Sequence, residues 1–213
     1  MTTLALPTRS TLSAAAAVAY AGALLYVVLL AVVHGVQPHM IHQATISKYA
    51  LGRDGWLLQA AFVAAGLGYG GLARLASGRT APVLWLVAAA FVVMGVFRID
   101  AVGPDKIASV HGALHTISFF VVVLLVHPLM FIARRRFRAQ AMRAVAWVAP
   151  VLVVAGFVVP GIAGALLFRA WTLSLVAWVV LAARELDEHV RRLSHLAVGQ
   201  VTVMEPGSVR RGG

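Results

Sequence analysis

The sequence predicts an all-α, polytopic membrane protein: a bundle of six transmembrane helices with both termini on the cytoplasmic side. Three observations predict it. Of 213 residues, 61% are hydrophobic and only 12% charged, about half the charged share of a soluble domain. The apolar residues gather in six runs, most of them long enough, at about 1.5 Å per residue, to cross a hydrocarbon core about 30 Å thick. Finally, Lys and Arg are spread unevenly between alternate loops.

The first run covers 13–36. Only Arg9 precedes it, and it is longer than the centre of a cleavable signal peptide, so it reads as a retained helix after a short cytoplasmic N-terminus, 1–12. The second covers 56–76. Tyr49 and Trp56 flank its start as interfacial rings do, and Asp54 stands where a capping side chain would. Within it, Gly66, Gly68, Gly70 and Gly71 leave room for another helix to approach closely. The third and fifth runs, 81–97 and 142–159, are the shortest, with Trp85 and Trp147 near their inner ends. The fourth, 111–133, contains His127 followed by Pro128, which predicts a kink and a backbone hydrogen bond. The sixth covers 162–183 and closes the transmembrane domain, 13–183. Beyond it, 184–198 keeps helical spacing: Leu186, Val190, Leu193 and Leu196 share one side, and Asp187 with Arg191 and Glu188 with Arg192 form i,i+4 pairs. That pattern predicts an amphipathic cytoplasmic extension near anionic headgroups, followed by an unstructured tail, 199–213.

With the N-terminus inside, thirteen of the eighteen Lys and Arg lie on the cytoplasmic side, the cluster Arg134, Arg135, Arg136 and Arg138 among them. Lys48, Arg53, Arg98, Lys106 and Arg169 fall on the other side. This bias also accounts for the net charge of +11. A nucleic-acid-binding surface would need far more polar sequence, so no nucleic-acid partner is expected. Without cysteine there is no disulfide, thiolate metal site or haem attachment motif. No Gly-rich phosphate loop, nucleophile elbow or zinc-protease helix signature occurs, and nothing singles out Ser109 or Ser118 as a nucleophile.

Ionisable side chains are costly inside a bilayer, so their placement carries the functional information. His34 falls at the outer end of the first helix, Asp100 just past the outer end of the third with Arg98 beside it, and His111 and His115 in the first turns of the fourth. Arg169 lies seven residues into the sixth, about 10 Å from its outer start. An outer-leaflet cavity would bring these together. His111 and His115, at i,i+4, share a helical face and could ligate one metal ion with His34 as the third ligand and Asp100 as ligand or base. Alternatively, the rings line a wet vestibule or bond backbone carbonyls. Arg169 cannot neutralise itself by losing a proton, so it needs an anion, water, an ion pair with Asp100, or a route to the interface. His39 and His42 read as solvated loop residues, and His127, about 24 Å along the helix from His111, is too far inward to join them.

The loop with His39 and residues 46–52, then Gly55, Trp56 and Leu57, the segment from Phe97 to Asp100, and the entry His111, Gly112, Leu114, His115 together resemble the bacterial membrane family called domain of unknown function 998. Arg169 is similar to a basic position of that family. The resemblance spans 34–184; Arg98 stands where a proline is expected after the phenylalanine. It implies a six-helix integral protein of the bacterial cytoplasmic membrane and supplies no activity.

Three readings of the polar cluster follow. In the first, the pocket binds a membrane lipid or other anionic amphiphile through Arg169, His34 and Arg98, as a binding protein, transporter, accessory subunit or sensor; the lack of a repeated half argues against a secondary transporter. In the second, the protein is a lipid- or isoprenoid-processing enzyme. Arg169 then holds the headgroup, and Asp100, His111 and His115 supply acid, base or zinc-activated water, with His34 orienting or ligating. In the third, His34 and His115 are axial ligands of haem in an electron carrier. The sequence leaves zinc, haem and catalysis open.

Overall fold

The structure, a computed structural model, describes residues 9–43, 45–101, 109–133 and 140–203, with side chains over 14–189 and at 191 and 192 within them. Among these residues there is no strand. Helix α1 (Arg9–Val36) is followed by two 3-10 turns, Pro38–His42 and Ile46–Leu51. Then come α2 (Gly55–Leu75), α3 (Thr80–Val96), α4 (Val110–Ala133), α5 (Gln140–Val158) and α6 (Gly161–Val203). Each helix begins within four residues of its apolar run. Five are long and apolar enough to cross a membrane; α3, with 17 residues, is shorter.

The outside of the bundle is as apolar as the inside. Leu24 and Leu124 are each 67% exposed and Val151 is 66% exposed, and so continuous an apolar exterior is suited to lipid rather than water. Trp56, Trp85 and Trp147 are also exposed, as rings at headgroup depth should be.

At the centre stands α2, 72% buried over its most apolar window against 28–50% for the other spans. Glycine is the reason. Gly71 lies against the backbone of Ala15 and Ala19 on α1, and Gly22 of α1 against Ala64 and Gly68. This order makes the two helices antiparallel. On the other flank, Gly66 meets Ala88 and Val92 of α3, while Gly95 of α3 meets Gln59 and Val63. The chain then continues around through α4 and α5, and α6 closes the bundle against α5, α1 and α2. The tight step from α5 to α6 uses Gly161 at φ +68°, a conformation L side chains rarely adopt.

Some local expectations change. Asp54 occupies the cap position of α2, yet its side chain makes no capping bond, because its backbone (φ −101°, ψ 29°) is outside the extended geometry a side-chain cap needs. Its carbonyl instead accepts from the Leu57 amide at 3.0 Å. Helix α4 continues through Pro128, and His127 bonds the Val123 carbonyl at 2.7 Å. Helix α6 carries on as one 43-residue element, with Asp187 on Arg191 at 2.8 Å and Glu188 on Arg192 at 3.2 Å. It runs through Gly199 to Val203, where an unstructured tail was expected. The Arg134–Arg138 cluster, Lys106, the side chains of Val190, Leu193 and Leu196, and residues 204–213 lie outside what is described.

Candidate functional site

The two 3-10 turns fold back over one end of the bundle, and the polar residues of that end are arranged around the second turn. In a 3-10 helix successive residues are about 120° apart, so Ser47 and Tyr49, two residues apart, face different neighbours. Both are buried. Tyr49 turns toward α1 and α6; Ser47 turns toward α4.

On the Tyr49 side sits Arg169, 8% exposed. Its Nε donates to His34 Nε2 at 2.7 Å, one terminal nitrogen donates to the Ala165 carbonyl at 2.7 Å and more weakly to the Gln43 carbonyl at 3.4 Å, and the other donates to the Tyr49 hydroxyl at 3.2 Å. The guanidinium carbon lies 5.6 Å from the centre of the Tyr49 ring, and the His34 ring lies 4.6 Å from that ring. Because Arg169 only donates, His34 Nε2 must accept. The other nitrogen, Nδ1, therefore carries the proton and donates to the Leu30 carbonyl at 2.7 Å. Every one of these partners is neutral, and no carboxylate among the described residues pairs with Arg169. A guanidinium buried in a membrane helix costs about 2.5–3.5 kcal/mol even by insertion measurements, and neutral acceptors offset only part of that.

One turn beyond His34, Gln37 is 3% exposed, and neither its amide oxygen nor its amide nitrogen has a partner among the described residues. It presses on Gly52, where any Cβ would overlap the amide. Among the described residues, this end of the bundle therefore holds both a cation without an anion and an amide without partners.

On the Ser47 side is His115, 1% exposed. Its Nδ1 donates to the carbonyls of Phe97 at 2.9 Å and Met94 at 3.1 Å, and its Nε2 accepts the Ser47 hydroxyl at 2.9 Å. The last carbonyls of a helix have no intrahelical donor; His115 supplies one to the C-terminus of α3. His127, deeper in α4, has the same protonation pattern, accepting from Trp171 Nε1 at 3.1 Å.

Of the residues singled out from sequence, Arg169 and His34 meet directly, and the second turn stands between them and His115. His111 is exposed and rests edge-on against Phe97, centres 5.4 Å apart. Asp100 accepts the Ser109 amide at 2.7 Å and its hydroxyl at 2.6 Å. These two bonds hold its carboxyl below the usual carboxylate range and fix Ser109, whose hydroxyl oxygen accepts the Gly112 amide at 3.0 Å and caps α4, so Asp100 does not pair with Arg169. Arg98 is exposed and donates to Gln59 Oε1 at 3.2 Å. His39 and His42 are exposed. The ligand set His34, His111 and His115 is not gathered, and no three His, Cys, Asp or Glu converge among the described residues. The reason is that α3 ends at Val96: His115 reaches its last carbonyls, while His111, one turn earlier, projects beyond them. The pairing of His34 with His115 expected for haem is likewise absent, since each Nε2 is directed at its own protein partner. Sequence reasoning missed Tyr49 as a partner of Arg169, Ser47 and Gln37. A short polar loop has no periodicity to show that it folds inward; the apolar residues Ile46, Tyr49 and Ala50 within it, all buried, are the one signal that could have.

Helices of this length with an apolar exterior and a buried polar end define a multi-pass helical membrane protein. Over residues 8–185 the chain matches the family described as "Protein of unknown function (DUF998)", and it belongs to that family. No curated protein matches it, and no solved structure does.

Proposed function

We propose that the protein binds an anionic lipid or amphiphile at the end of the bundle covered by the 3-10 turns, with Arg169 as the anion-binding group and His34, Tyr49 and Gln37 around it. The observation that carries this reading is the buried guanidinium of Arg169, bonded among the described residues only to neutral groups. A phosphate or carboxylate head would supply the missing countercharge, and the fork of guanidinium donors suits such oxygens. His34, fixed as an acceptor at Nε2, orients the guanidinium rather than holding the anion. The test compares anionic and zwitterionic phospholipids binding to the purified chain in detergent. Arg169→Gln should weaken the anionic lipid by about 1.5–3 kcal/mol, the scale of a charged hydrogen bond, or roughly ten- to a hundredfold. Equal binding by wild type and variant would remove the proposal.

In the proposed setting α3 is a sixth span, short but carrying the exposed apolar residues Leu86, Val92 and Val96, and both termini lie in the cytoplasm of a cell membrane. What supports this is the excess of Arg at the end opposite the 3-10 turns. The chain has no natural cysteine, so single-cysteine labelling has no background. His39→Cys in intact cells should react with an impermeant maleimide and Ser77→Cys should not; the reverse pattern would invert the topology.

A further inference from the structure

At the opposite end of the bundle, far from Arg169, a cavity of about 360 Å³ lies where α2 and α4 end, α3 begins and α6 passes. That volume is within the range of ligand pockets, about 300–1,000 Å³. Its inner part is apolar, walled by Leu72, Leu84 and Leu129, and its mouth is polar, with Glu185, His189 and Arg192 on α6. From Trp178 to Arg192 the cavity follows α6 for about 21 Å, taking 1.5 Å of rise per residue. Polarity therefore changes along a single helix.

Trp178, 2% exposed, walls the inner part. The mouth points to the ligand. Glu185, His189 and Arg192 stand on successive turns of one helix face, and Arg192 also donates to Glu188 at 3.2 Å; carboxylates and basic side chains side by side are complementary to a dipolar head and not to a purely anionic one, which Glu185 would repel.

We infer that this cavity binds a zwitterionic phospholipid. The ammonium lies at Glu185, the phosphate at His189 and Arg192, and the acyl chains pass along the apolar inner part and leave past the exposed Ile132 into the bilayer. This goes beyond the reading of the Arg169 end and uses none of its residues.

The experiment is native mass spectrometry of the purified, delipidated full chain with two probes, a diacyl phosphoethanolamine lipid and a diacyl phosphoglycerol lipid. One phosphoethanolamine lipid should be retained with a preference of about fivefold, the scale of an exposed ion pair. Glu185→Gln should abolish the preference. Ala182→Phe, which fills the inner part, should abolish the adduct, and Arg169→Gln, which removes the anion-binding group of the other end, should leave the phosphoethanolamine adduct unchanged. The inference is overturned if no phosphoethanolamine lipid is retained, if Glu185→Gln keeps the preference, or if Arg169→Gln removes the adduct. The charge-neutralising variant lies at the mouth and decides the matter even if the core variant fails to fold.

Discussion

His115→Ala is expected to destabilise the protein by about 3–5 kcal/mol, the range for breaking a buried polar network and opening a ring-sized cavity. The ring satisfies three groups at once: the Met94 and Phe97 carbonyls at the end of α3 and the Ser47 hydroxyl on the second 3-10 turn. Each buried group left unpaired costs about 1–3 kcal/mol, and the ring's volume next to Phe62, 5.8 Å away between centres, is lost as well. His115→Asn should recover part of this, because its side-chain amide nitrogen falls close to where Nδ1 was and can still donate to the carbonyls. Thermal unfolding in detergent measures both. The comparison also separates two roles for the ring. A variant that melts within about 1 kcal/mol of wild type yet fails in lipid handling would make His115 a chemical group and not the cap of α3.

Six helices were legible because lipid imposes an unbroken run of apolar residues, and nothing in tertiary packing can override that requirement. The common depth of Arg169 and His34 was legible too, from counting residues along helices of known rise, but their direct contact was not: Asp100 was the partner the sequence offered. What depth could not supply was direction around the axis. His111 and His115 differ by only about 40° at i,i+4, yet one is exposed and the other fully enclosed, since α3 stops between their levels. Asp100 looked like an acid or base, and became the brace of the α4 cap because Ser109, nine residues on, returns to it. Sequence gives no rule for so long a return. The inward fold of residues 46–51 was hidden for a similar reason: a loop carries no periodicity, so burial of Ser47 and Tyr49 depends on neighbours that only the assembled bundle provides.

Gly71→Val should force the α1–α2 seam apart, costing about 3 kcal/mol, at the upper end of the usual overpacking range. A Cβ at Gly71 would lie 2.6 Å from the Ala19 amide nitrogen and 2.7 Å from the Ala15 carbonyl oxygen. Both are backbone atoms of a packed helix, so no rotamer change relieves the overlap and the helices must part. In lipid that loss is not offset by any hydrophobic drive to stay together, since association there depends on close van der Waals contact. Gly70→Ala is the matched control: its Cβ would meet only the Trp85 ring at 3.3 Å, and that exposed side chain can move, so a cost under about 1 kcal/mol is expected. Unfolding in graded denaturing detergent reports the two, and equal stabilities would sink the claim that backbone proximity holds the seam. The consequence extends to the lipid site. Helix α1 carries His34 and α2 follows directly from the turn carrying Tyr49, so parting them should loosen the His34–Tyr49 contact and weaken anionic lipid in Gly71→Val without any change at Arg169.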